Sequence, residues 1–370
     1  VKRLEATTAA DILLSAVISS VTFHNFKALR AASVELRPFN LIVGPNGSGK
    51  TSLIQALLRL RTLARVGNTS TGCQQIPVQR SPARKIEEAV SPTLEFRFSP
   101  PHESALVRLS CIEQWVCDQI EFSGVDEAER VLLTREIEGI LAYLFDHYAM
   151  AEASPNGSAS ELASNGGNLA AVLATLHESQ PESFAQLEVE LRQIVPEFAA
   201  IEISRSGAAD GSETLSLGLR LRGGSRGASA SGEVVTADNL SQGTLYLLAV
   251  LFLVFQPEPP SVVCIEEIDR GMHPRWLRSL RDLLYRLSYP HDFGESRAPV
   301  QVLATTHSPY LLDLFKDHPE EVIISQKRGL SAHFERLSDR ADLGALLGEA
   351  SLGDLWFSGI LGGVPEEEGF

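Results

Sequence analysis

Apolar and polar positions alternate near the start of the chain and then change period, and that change marks its first elements. Val21-Thr22-Phe23, Ser33 to Leu36 and Leu41-Ile42-Val43 read as strands, with turn chemistry at Arg37-Pro38. The third strand runs into Gly44-Pro45-Asn46-Gly47-Ser48-Gly49-Lys50-Thr51. Behind it Leu53, Ile54, Leu57, Leu58 and Leu60 recur at helical spacing. Residues 64–92 carry Gly67, Pro77, Pro82 and Pro92 with little periodicity and read as loop. Strand patterns resume at Leu94–Phe98 and around 105–122.

A helical section is expected from Asp126 to Met150. A Ser/Gly/Asn/Ala-rich linker follows from Ala151 to Asn168, with the composition of a mobile segment. Helices fit 168–177 and 181–195, the second opening with Pro181 at its first position. Strands return near 199–204 and 214–221, and 222–232 is again Gly/Ser-rich. The last third alternates: helix 241–255, strand 261–266, helix 274–288, strand 300–305, helix 309–316, strand 321–325. Alternation of this kind predicts a mostly parallel α/β sheet. Neither an internal repeat nor a sustained heptad pattern is present, which excludes a long coiled-coil arm.

Charge and composition narrow the partners. Over 370 residues, 32 Lys and Arg stand against 47 Asp and Glu, a formal net charge of −15. That balance disfavours a chain that coats nucleic acid or an anionic membrane. With 44% hydrophobic and 21% charged residues the chain is too apolar for disorder. Cys73, Cys111, Cys117 and Cys264 form no CxxC pair and no disulfide framework, so a reducing cytoplasm is expected, with Cys111 and Cys117 packed as small apolar residues. Asp11 interrupts the apolar run near the start, which favours a tail over 1–17 rather than a secretory signal. The stretch Leu245–Phe255 is about half the length of a membrane span. Arg59, Arg61, Arg65, Arg80, Arg84 and Lys85 make 59–85 the most basic region, read first as a solvated face and second as a DNA or partner patch. His102 is too isolated to point to zinc.

Residues 44–51 satisfy GxxxxGK[ST] between a strand and an amphipathic helix, the context that distinguishes a phosphate-binding loop from a glycine-rich turn. Gly44, Pro45, Asn46, Gly47, Ser48 and Gly49 would curl backbone N–H groups around a phosphate, with Ser52 in the first helical turn. Lys50 would reach the β- and γ-phosphates of ATP, and the Thr51 hydroxyl would bind Mg²⁺. Val262–Ile265 is an apolar run suited to a buried parallel strand, and it ends in Glu266-Glu267 at the sheet edge where ligands gather. Neighbouring strand residues point to opposite faces. Glu266 would therefore serve the metal and Glu267 would act as general base. His307 leaves the next strand at the same edge and is placed to sense a γ-phosphate. Ser241 is an N-cap for helix 241–255, and Gly243 would let an anion approach the backbone closely; alone, this signal means little more than a cap.

Together these residues resemble the ABC-type ATPase heads of the SMC/RecF/OLD group, specifically stand-alone ATPases without a Toprim nuclease module. The resemblance rests on Walker A (44–51), a signature at Leu240–Gly243, Walker B with its glutamate (262–267), His307, an entry strand at Val21–Lys27, and Glu266–Asp269 through His273-Pro274. Asn168–Leu173 and Ile194-Val195-Pro196 also look like this group, so it covers about 18–337.

The resemblance implies a P-loop fold with an ABC-type head: a mostly parallel central sheet, an antiparallel N-terminal β subdomain and a helical insertion. The expected divisions are a tail over 1–17, lobe I over 18–125, the insertion over 126–198, lobe II over 199–337 and a tail over 338–370. It further implies a homodimer around ATP, in which Ser241 and Gly243 of one subunit face the γ-phosphate held by Lys50 of the other. Glu266 stands where transporters have Asp, the signature reads Leu-Ser-Gln-Gly-Thr, and His273 replaces a D-loop Asp; these departures point away from transporter subunits. A Q-loop glutamine is not assigned among Gln74, Gln75, Gln79 and Gln114. The absence of an NKxD motif favours ATP over GTP within the group. Three roles remain open: control of a separately encoded effector, as in phage defence; a RecF-like DNA clamp; and a nucleotide-gated scaffold with negligible turnover.

Overall fold

The computed structural model describes residues 18–68, 91–113, 116–207, 213–223, 232–329 and 331–362. In chain order its first half contains β1 (Ile18–Phe26), β2 (Leu29–Glu35), β3 (Phe39–Val43), α1 (Lys50–Asn68), β4 (Thr93–Phe98), β5 (Leu106–Glu113), β6 (Val116–Ser123), α2 (Glu127–Glu138), β7 (Ile140–Tyr143), α3 (His147–Ala151), β8 (Ser154–Pro155), α4 (Leu169–Ser179) and α5 (Pro181–Ile194). The second half contains β9 (Phe198–Gly207), β10 (Glu213–Leu221), β11 (Val234–Thr236), α6 (Gln242–Phe255), β12 (Val262–Ile265), α7 (Leu277–Ser288), β13 (Gln301–Thr306), α8 (Pro309–Asp313), β14 (Val322–Arg328), β15 (Ser331–Arg336), α9 (Leu343–Glu349) and α10 (Leu352–Phe357).

Among the described residues the central sheet has the order β15-β14-β3-β13-β12-β7. All its pairings are parallel except that of β14 with β15. Its middle strands are buried on both faces, which is why β12 reads as an unbroken apolar run and β3 as one interrupted only by the buried Asn40. Successive side chains divide between two cores: Ile42, Val262, Cys264 and Leu303 face α1 and the N-terminal sheet. Leu41, Val43, Val263, Ile265, Val302 and Ala304 face α6 and α7. The N-terminal sheet, ordered β2-β1-β4-β5-β6, is antiparallel throughout. The mostly parallel sheet and the antiparallel β subdomain are therefore present as expected. α6 is buried at every position from Gly243 to Phe255, so the apolar run in this part of the chain is a core helix. Among the described residues no helix is long and apolar enough to cross a membrane.

The structure departs from the sequence expectations in five places. The section 126–150 is not continuously helical: β7 lies inside it and forms one edge of the central sheet, paired with β12. Helix 309–316 is shorter, ending at Asp313. The linker 151–168 is tied down by Asn168, whose Oδ1 accepts from Ala163 N–H at 2.7 Å and whose Nδ2 donates to the Glu161 carbonyl at 3.0 Å. The segment expected as a tail from 338 is folded to residue 362, with Leu343, Leu352, Leu355, Trp356 and Leu361 in the core. Finally, Cys111 and Cys117 are joined by a disulfide instead of packing as free thiols. They face each other in the β5–β6 register, a proximity that a six-residue spacing does not reveal without the hairpin. This bond removes the cysteine argument for a reducing compartment. Cys264 is free and buried, and Cys73 lies outside the described residues.

Candidate functional site

β3 delivers the chain to a loop whose shape requires glycine. A Cβ on Gly44 would sit 2.4 Å from the Ser325 carbonyl oxygen and 2.5 Å from Ser48 Oγ. Gly47 and Gly49 have φ of 75° and 106°, where a side chain is strained. α1 begins at Lys50, so the loop ends on a helix N-terminus with free amide donors. Lys50 is 8% exposed and its Nζ donates to the carbonyls of Gly44 at 2.7 Å and Pro45 at 3.0 Å. Burial pushes its pKa down to about 8, against the opposing pull of Glu266 and Glu267. Ser48 Oγ is buried with no hydrogen-bond partner among the described residues.

β12 brings the carboxylates. Thr51 Oγ1 donates to Glu266 Oε2 at 2.6 Å, which joins the two hard oxygen donors proposed for a magnesium ion. Glu266 N–H donates to the Tyr143 carbonyl at the end of β7. Glu267 does not continue the strand: its φ is 50°, a left-handed conformation that costs a residue with a side chain on the order of 1–2 kcal/mol. Its N–H donates to Thr305 Oγ1 at 2.9 Å, and its carboxylate lies 3.7 Å from the Arg270 guanidinium. His307 is exposed at the rim, and partial desolvation, with the Lys50 ammonium second, holds its pKa below the ordinary histidine value. Asp269, half-buried, has its carboxyl pKa raised by desolvation although it accepts a hydrogen bond from the Thr306 hydroxyl.

Residues 46–52, Glu266, Glu267, Thr305 and His307 line one cavity of about 200 Å³. That is smaller than the ~300–1,000 Å³ of a site enclosing a whole small ligand; the space suits a polyphosphate chain with the rest of a nucleotide outside. The unpaired Ser48 hydroxyl, the Lys50 ammonium and the Thr51–Glu266 pair are the donor set an anionic phosphate and a divalent cation require.

Ser241 and Gly243 are not in this cavity. Ser241 is exposed and caps α6, its Oγ accepting from Thr244 N–H at 3.2 Å. Gly243 is buried, and a Cβ there would meet the Gly271 carbonyl oxygen at 2.5 Å. Its missing side chain admits the neighbouring loop at Gly271. Of the basic region, Arg61 is engaged internally, with Nε on the Glu138 carbonyl and its guanidinium beside Glu161. Arg80, Arg84 and Lys85 lie outside the described residues, as do the four glutamines considered for a Q-loop. Thr305 escaped the sequence reading. The available signal was a polar residue, 1% exposed here, closing the apolar run Val302-Leu303-Ala304.

A family profile described as "AAA domain, putative AbiEii toxin, Type IV TA system" matches residues 39–313. The DNA replication and repair protein RecF of Haemophilus ducreyi is 52% identical over 44 residues, 12% of this chain and 12% of that protein. RecF of Actinobacillus pleuropneumoniae is 50% identical over 44 residues, again 12% of each. The chain thus spans only 12% of the length of these curated relatives. An Smc head bound to the C-winged helix domain of ScpA superposes with a TM-score of 0.56 at 15% identity, covering 86% of this chain and 96% of that one. The Pyrococcus furiosus Smc head bound to the C-terminal domain of ScpA gives 0.56 at 13% identity, covering 90% and 100%. At such identities the likeness establishes the fold: an ABC-type ATPase head.

Proposed function

The chain belongs to the AAA-domain family whose profile spans residues 39–313, and on that premise we propose that it binds Mg-ATP, dimerises around it and hydrolyses it to control a partner. The observation that carries this reading is the convergence of Lys50, the Thr51–Glu266 pair, Glu267 and His307 on one cavity. The loop amides of 46–49 and the α1 N-terminus bind the phosphates, and Lys50 exchanges its two carbonyl acceptors for phosphate oxygens. Thr51 and Glu266 would hold the magnesium ion, which supplies charge neutralisation at the β- and γ-phosphates. Glu267 takes a proton from the attacking water as that water bonds to the γ-phosphorus and the bond from the γ-phosphorus to the β,γ-bridging oxygen breaks, giving ADP and phosphate. Neutral His307 donates an N–H to a γ-phosphate oxygen.

Dimerisation is proposed because the cavity is open and Ser241 is exposed outside it. A second subunit can bring its Ser241 to the phosphate that this subunit cannot reach with its own. The family description names a toxin of a toxin–antitoxin system, which favours control of a separately encoded effector. A RecF-like DNA clamp is the second reading, favoured by the 44-residue likeness and opposed by the net charge of −15. ATP turnover by the wild type and by Glu267→Gln tests the enzyme reading: absence of turnover in the wild type leaves a nucleotide-gated scaffold. Salt-dependent DNA binding by the ATP-locked Glu267→Gln protein would move the function to the clamp.

A further inference from the structure

On the hydrolytic reading proposed above, we infer that Thr305 is the positioning residue for Glu267, fixing the backbone turn that aims its carboxylate into the phosphate cavity. Two consecutive amides of that turn end on this one residue. Glu267 N–H donates to Thr305 Oγ1 at 2.9 Å, and Ile268 N–H donates to the Thr305 carbonyl at 3.0 Å. The turn they anchor is the one with φ of 50° at Glu267, which needs surrounding contacts to persist.

The topology makes Thr305 a suitable anchor. β13 lies between β3 and β12, and Thr305 pairs with Ile42, two residues before Gly44. The residue that sets the general base is thereby tied to the strand that carries the phosphate loop. Thr305 is 1% exposed and lines the cavity. The adjacent Thr306 behaves differently: its hydroxyl donates to Asp269 and accepts from Ser308 N–H, a loop tie outside the cavity lining. Two neighbouring threonines thus divide between holding the loop and holding the base.

Thr305→Val keeps the volume and removes the acceptor; Thr305→Ser keeps the acceptor. In Thr305→Val, hydrogen exchange at the Glu267 amide rises by about 10- to 100-fold, the consequence of losing a buried acceptor, and in Thr305→Ser it does not. ATP turnover by Thr305→Val falls by ~10–100-fold through misplacement of the base, while the nucleotide-induced rise in Tm is kept. In a Glu267→Gln background the valine produces no further fall, because the group it would misplace no longer acts as a base. Thr305→Ala replaces the valine if that variant does not fold. Unchanged exchange at Glu267, or an equal fall in turnover with and without Glu267, overturns the assignment. A wild type without turnover removes the enzyme reading alone, and the exchange measurement still decides whether Thr305 holds the turn.

Discussion

On one side of the phosphate cavity the backbone turns left-handed at Gly47 and Gly49; on the other side it does so at Glu267, which carries a full side chain. On the proposed reading the Walker A loop works through its amides, so glycine can stand wherever φ is positive. On the same reading the side chain is the instrument at Glu267, and glycine there would remove the function together with the strain. The strain is instead held by Thr305 on the neighbouring strand. A backbone-built site and a side-chain-built site therefore need different support from the fold.

Four substitutions or titrations probe this contrast. Glu267→Gln should lower kcat by ~10²–10⁴ with little change in nucleotide affinity, as expected for loss of a general base. Retained turnover would place the base elsewhere. Gly49→Ala adds a Cβ at φ 106° that would lie 3.1 Å from Leu29 Cδ2. A cost of ~1–3 kcal/mol should appear in urea unfolding, together with a smaller nucleotide-induced Tm shift. A neutral result would mean the loop relaxes freely.

The titration concerns Lys50, whose pKa is lowered to about 8 from the ordinary lysine value of 10.5. Between these values the unfolded chain keeps a proton that the folded protein has released, so this group's contribution to free-protein stability rises with pH across that window. Nucleotide binding has the opposite sign, since the phosphates favour the ammonium. Affinity should be flat below pH 8 and fall by up to about tenfold per unit above it, with proton uptake on binding measurable by calorimetry in buffers of different ionisation enthalpy. The smallest effect compares Glu267→Gly with Glu267→Ala. Glycine should be the more stable by about 1 kcal/mol in urea unfolding, the reverse of their order in a helix.

The same contrast explains what the sequence made legible. The phosphate loop could be found because its glycines, its lysine and the flanking periodicities are contiguous in the chain. Glu266 and Glu267 followed from an apolar run ending in two acids. What stayed hidden depends on register between distant segments. Ile140–Tyr143 is only four residues long and lies between helices, so no period distinguishes it; its role as a sheet edge comes from pairing with β12. Thr305 became visible only when β13 was placed beside β12. The packing role of Gly243 stayed hidden because the loop at Gly271 that fills its space is 28 residues away. The folded 343–362 segment carries too few apolar residues in each short helix to announce itself before α8 supplies the surface they cover.

α6 is enclosed along its whole length, from Gly243 beneath the capping Ser241 to Phe255, whose ring lies 4.6 Å from the Arg286 guanidinium. A rod embedded in this way cannot tilt or bend locally without repacking α3, α4, α5 and α7, which pack against it. A push received at its Ser241 end would emerge as displacement about 20 Å away, near α7.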